Sequence, residues 1–184
     1  MLAFLNKEKL LKVKREKFDI KLEEIKGNFF PTEEVKERLQ KIKNFFDSRI
    51  PVMLEGPNGT SKTKTIQVLC DILKKKLIRF NLSSETTIED LIGRLGPERE
   101  DSWNSFKFVP GPFTEAFEKG YVLLLEEINL GQKSVLQVIE TALDTGEIKQ
   151  DIPGCGTIKK NIHPDFIIVA TQNPKIERIY KPKR

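Results

Sequence analysis

Cysteine and histidine are scarce in this chain, with two of the first and one of the second among 184 residues. Cys70 and Cys155 lie far apart with no metal-ligand partners near either, and His163 stands alone. Neither a zinc site nor a disulfide framework is indicated, and reduced thiols fit an intracellular protein. Long apolar runs are also missing: none approaches the roughly 18 residues of a membrane span. The N-terminal "MLAFLNKEKLL" has too short an apolar stretch, followed too soon by charges of both signs, to read as a signal peptide. No internal repeat or low-complexity segment stands out. The expectation is a soluble, intracellular chain without a membrane partner, whose 38% hydrophobic content suits one sizeable core.

The formal net charge is +5 and the isoelectric point is near 9.1. That balance leaves nucleic acid open as a partner. Its lysines are mixed with glutamates along most of the chain, however, whereas a nucleic-acid footprint gathers its charges on one face.

Residues 1–49 read as amphipathic helices packing on a core. One stripe holds Leu11, Phe18, Leu22 and Ile25. After "GN" and "FFP", Thr32 caps a second helix with Glu33 and Glu34 in its first turn and Val35, Leu39, Ile42 and Phe46 on its apolar face. "IPVMLEG" predicts a buried strand running into the loop "GPNGTSKT" and then a helix carrying Ile66, Leu69, Cys70 and Leu73. "LIRFNLS", "YVLLLEE" and "DFIIVATQNP" are three further strands. "TTIEDLIGRL" starts a helix that "GPEREDSWNSFKFVPGP" interrupts. Helices are expected at Phe113 to Lys119 and over "QKSVLQVIETAL", and "EIKQDIPGCGTIKK" reads as two short strands around a turn. Alternating strands and helices imply an α/β fold with a mainly parallel sheet flanked by helices and ligands at the carboxyl ends of the strands.

The loop carries the clearest chemistry. A polyphosphate is held by consecutive backbone N–H groups at a helix N-terminus, which requires small residues where the backbone wraps closely. Gly56, Pro57, Asn58, Gly59, Thr60, Ser61, Lys62, Thr63 and Lys64 form such a loop. Lys62 would reach the β and γ phosphates, and the Thr63 hydroxyl would ligate Mg²⁺. Ser61 stands where the usual pattern has glycine; being small, it fits if its backbone is right-handed helical. Glu126 and Glu127 end an apolar strand, the first placed to hold the Mg²⁺ shell and the second to position or deprotonate a water. Asn173 ends another, with an amide able to touch a γ-phosphate. No N-K-x-D sequence follows, which disfavours a small regulatory GTPase. Trp103, Phe106 and Phe108 are expected to pack on the domain rather than grip a substrate.

From Ile50 to Pro174 the chain resembles the dynein-related AAA+ ATPases, the branch that includes midasin and, more distantly, the MoxR-type ATPases. The resemblance rests on "GPNGTSKT", "TTIEDLIGR", "GPFTEAFEKGYVLLLEEINL", "VLQVIETALDTGEI" and "HPDFIIVATQNP" in that order. It implies a P-loop NTPase binding ATP and Mg²⁺, with Lys62 and Thr63 in Walker A, Glu126 and Glu127 in Walker B, and Asn173 as sensor 1. It also implies that 94–112 is an insertion in the second helix and 147–160 the hairpin before sensor 1. Glu126 departs from the family's aspartate. The family continues beyond sensor 1 into an arginine-finger helix, a fifth strand and a lid, so residues 50–174 are expected to be a truncated AAA+ core followed by a basic tail, 175–184, in which Arg178 and Arg184 are not assigned as fingers. The implied partners are other AAA+ modules, in a homo-oligomer or a tandem array, and a protein or ribonucleoprotein substrate. The alternative is a catalytically inactive fragment serving as an interaction module.

Overall fold

The computed structural model describes residues 32–57, 59–97, 106–154 and 156–174. The helix expected over 8–26, Asn58, Trp103, Cys155 and the 175–184 tail lie outside the described residues.

Helix α1 (Glu33–Asp47) starts where the Thr32 hydroxyl accepts the Val35 N–H at 3.4 Å, with Glu33 and Glu34 complementing the positive end of the helix. It buries Leu39, Ile42 and Phe46, as its apolar spacing predicts. Then follow β1 (Val52–Glu55), α2 (Lys62–Ile72), β2 (Leu77–Asn81), the short α3 (Ile88–Ile92), strands β3 (Gly93–Pro97) and β4 (Phe106–Pro110), and α4 (Pro112–Lys119). After β5 (Val122–Glu126) and a 3₁₀ turn at Ile128–Leu130 come α5 (Lys133–Thr145), β6 (Glu147–Ile152), β7 (Gly156–Asn161) and β8 (Ile167–Gln172).

Four strands form one parallel sheet in the order β1-β8-β5-β2. Because connections between parallel strands must cross over a face, helices cover both sides and the central strands β5 and β8 are buried along nearly their whole length. Strand β5 illustrates this: Leu123 and Leu125 enter one core cluster with Phe113, Phe117 and Phe166, while Val122 and Leu124 enter the other with Leu39, Ile66 and Leu69. The expected parallel α/β fold is therefore present. Two antiparallel hairpins, β3–β4 and β6–β7, stand apart from the sheet. Among the described residues no helix is long and apolar enough to cross a membrane.

The helix predicted from "TTIEDLIGRL" is much shorter than its sequence suggests. Thr87 and Asp90 cap each other reciprocally at its start, yet α3 ends at Ile92. Gly93 has φ 127°, and a Cβ there would press on the Val109 carbonyl of the facing strand. The backbone thus leaves the helix at the first residue able to do so, and "GRLGP" becomes β3.

Candidate functional site

The carboxyl ends of the parallel strands and the N-terminus of α2 enclose a cleft of about 570 Å³. Its lining brings together Gly59, Thr60, Ser61, Lys62, Thr63, Lys64, Glu126, Glu127 and Asn173 from three separate stretches of sequence. Gly56 and Pro57, also expected at the site, are not among the residues that line it, although their carbonyls accept from Lys62. Asn58 lies outside the described residues.

The loop is anchored where β1 ends, with the Gly56 N–H donating to the Gln172 carbonyl at 3.3 Å and so extending the β1–β8 ladder. Thr60 closes the turn through its hydroxyl, which donates to the Pro57 carbonyl at 2.8 Å. Helix α2 then begins, and the amides of its first turn have no acceptor within the helix. Those donors, with the positive end of the helix dipole, face the cleft.

Ser61 contradicts its expected conformation. It has φ 56° and ψ 27°, in the left-handed region, and its side chain makes no capping hydrogen bond. The usual glycine is therefore explained by backbone handedness as well as by space, and a serine here carries a strain of about 1–2 kcal/mol. The carbonyl of Ser61 is nonetheless fully used, accepting from the Thr65 N–H and hydroxyl, both at 2.8 Å.

Lys62 and Thr63, adjacent in sequence, reach different strands. The Lys62 ammonium donates to the Gly56 carbonyl at 2.6 Å, the Pro57 carbonyl at 2.9 Å and Asn173 Oδ1 at 3.3 Å. The Thr63 hydroxyl donates to Glu126 Oε2 at 2.9 Å. Glu127 follows at φ 54°, a left-handed residue that ends β5 and turns the chain into the 3₁₀ segment.

Other residues of the cleft escaped the sequence reading: Gln67, Arg79, Asn81, Thr171 and Gln172. Arg79 is the most consequential, since its Nε and Nη2 both lie 2.8 Å from Glu126 Oε1. A signal for it was present in "LIRFN". Ile78 and Phe80 pack on one face and Leu77 on the other, so strand alternation puts Arg79 on the α2 side, where a cation calls for a partner.

The oxygen donors of Thr63 and Glu126 suit a hard divalent cation such as Mg²⁺, which takes one or two protein ligands and completes its shell with water and phosphate oxygens. Among the described residues there is no cluster of three or more histidine, cysteine or acidic side chains fit to hold a metal alone.

Residues 51–180 match the family model described as AAA domain (dynein-related subfamily). The chain is 34% identical over 124 residues to midasin of Dictyostelium discoideum and 33% identical over 126 residues to midasin of Giardia intestinalis. These matches cover 67% and 68% of this chain but only 2% of either midasin. An uncharacterized protein of Staphylococcus aureus strain USA300 is 29% identical over 126 residues, which cover 63% of this chain and 48% of that protein. A crystal structure of a candidate ATPase from Cytophaga hutchinsonii superposes with a TM-score of 0.57 at 20% identity, over 79% of this chain and 44% of the other. That likeness shows the fold.

Proposed function

The chain belongs to the dynein-related subfamily of AAA domains, and on that footing we propose that it binds ATP with Mg²⁺ as one module of a homo-oligomer or tandem array. ATP hydrolysis in that assembly drives remodelling of a macromolecular partner, with protein or ribonucleoprotein as the substrate class. One observation carries the reading: two consecutive residues at the head of α2 are tied to two different strand ends, Lys62 to Asn173 and Thr63 to Glu126. A phosphate loop coupled in this way to both strands registers what lies at its centre.

In this reading the first-turn amides of α2 and Lys62 hold the phosphates, and the lysine exchanges its carbonyl acceptors for phosphate oxygens. Thr63 and Glu126 would hold the Mg²⁺, which neutralises phosphate charge and orients the terminal phosphoryl group. Glu127 orients and deprotonates the attacking water, and Asn173 donates its amide to the terminal phosphate. An arginine from a neighbouring module completes the charge stabilisation, a contribution of about 10³–10⁵ in rate in nucleotide hydrolases that use one.

A second reading draws on Glu126, both of whose carboxylate oxygens are already engaged by protein groups. In it the module binds nucleotide without turnover and serves as an interaction surface.

Calorimetric titration with a slowly hydrolysed ATP analogue, with and without Mg²⁺, together with phosphate release from ATP, tests both. Saturable Mg²⁺-dependent binding that disappears in Lys62→Ala is expected, as is retained binding with about 10²–10⁴-fold slower turnover in Glu127→Gln, the scale of a lost general base. Unchanged affinity in Lys62→Ala would sink the phosphate-loop assignment. Binding without turnover in the assembled oligomer would favour the second reading.

A further inference from the structure

Glu126 is shared between a hydroxyl and a guanidinium, and the sharing follows from the sheet. Strand β2 lies beside β5 with Asn81 opposite Glu126 and Arg79 opposite Leu124. Arg79 and Glu126 are therefore diagonal neighbours on one face, a separation that a long side chain spans. Glutamate, one methylene longer than aspartate, reaches Thr63 with Oε2 while Oε1 receives both Arg79 nitrogens. Two donors on one charged oxygen draw off the negative charge that a metal ion beside Thr63 would need.

Resting on the ATP reading above, we infer that Arg79 is a resident counter-cation of the phosphate site: it favours nucleotide binding without metal and opposes Mg²⁺ at Glu126. Both effects have one electrostatic cause. The cleft lining carries Lys62, Lys64 and Arg79 against Glu126 and Glu127, so the arginine tips the site toward a polyphosphate anion. The same charge repels a dication drawn to the carboxylate that Arg79 holds. Arg79 acts on the metal through Glu126 and is a positioning residue. Its side chain is 52% exposed, so its removal leaves no buried gap.

The test is titration with a fluorescent ATP analogue, first in excess EDTA and then across a Mg²⁺ series, for the wild type, Arg79→Gln and Arg79→Lys, with circular dichroism to establish folding. Arg79→Gln is expected to weaken metal-free binding about tenfold, the scale of one charge-assisted contact, and to lower the half-saturating Mg²⁺ concentration by a similar factor. Lysine keeps the charge but loses the fork that grips one oxygen twice, so Arg79→Lys should retain metal-free affinity and shift the Mg²⁺ requirement partway. A loss that is purely structural would not move the two quantities in opposite directions. An unchanged or raised Mg²⁺ requirement in both variants would overturn the inference while leaving the ATP reading intact. If the folded wild type binds no nucleotide with or without Mg²⁺, the ATP reading fails and this inference falls with it.

Discussion

At the scale of single residues, the phosphate loop trades backbone comfort for shape. Ser61 holds a left-handed conformation in which it makes no side-chain capping bond, so the serine side chain gives no compensation for its strain. Ser61→Gly should raise stability by about 0.5–1 kcal/mol, the relief of strain less the extra freedom of glycine in the unfolded chain. Thermal melting should show this as a rise of about 1–4 °C. A fall in melting temperature would mean that the hydroxyl contributes in a way the structure does not record. Among the residues that line the cleft, Lys62, Thr63, Glu126, Glu127 and Asn173 could be picked from the sequence because small loops, strand-end acids and amides are local patterns. Arg79 could not be assigned so readily, because its partner is fixed by which strand lies next to β2. The handedness of Ser61 was hidden for a related reason: it is imposed by how β1 and α2 are placed, and serine itself does not prefer it.

At the scale of elements, the strong apolar runs and longer periodic helices that fall among the described residues formed near their predicted spans, whereas α3 and the β3–β4 hairpin did not. "LIGRL" keeps enough apolar residues to prolong a helix on paper, but Gly93 and Gly111 sit where two backbones nearly touch, and only the folded hairpin makes that contact. Gly120 plays a comparable part at the end of α4. It has φ 73°, and a Cβ there would fall on the imidazole of His163, whose Nδ1 accepts the Asp165 N–H at 3.0 Å. Gly120→Ala should cost about 2–4 kcal/mol, combining the left-handed backbone with a clash. Gly156→Ala makes the control: φ is 76° but nothing lies within 4 Å, so only about 1–2 kcal/mol is expected. Urea midpoints at unchanged slope would separate the two. Equal losses would show that His163 yields without cost.

At the scale of the whole molecule, α2 is clamped between the sheet and α1, and Cys70 lies inside that layer at 1% exposure. Burial pushes its thiol up to about 12 from 9.0; neighbouring Asp71 adds to the rise and Lys75 opposes it. The unfolded chain would release this proton first. Cys70 therefore contributes stability that is whole below pH 9.0 and is lost between pH 9.0 and about 12, at a slope of at most about 1.4 kcal/mol per unit. In a Cys155→Ser background, the remaining thiol should resist alkylation at neutral pH until denaturant unfolds the protein. Fast labelling under native conditions would show that the α2 layer opens by itself. The order of the strands has a further consequence, for how the molecule is made. Among the described strands β1 pairs with β8 alone, and β8 is the last of them in sequence, yet it lies at the centre between β1 and β5. While the chain is being synthesised, β2 and β5 can pair early, but β1 and the phosphate loop it carries wait with no strand beside them. The sheet closes like an arch receiving its keystone, and the candidate site is finished only in that closing step.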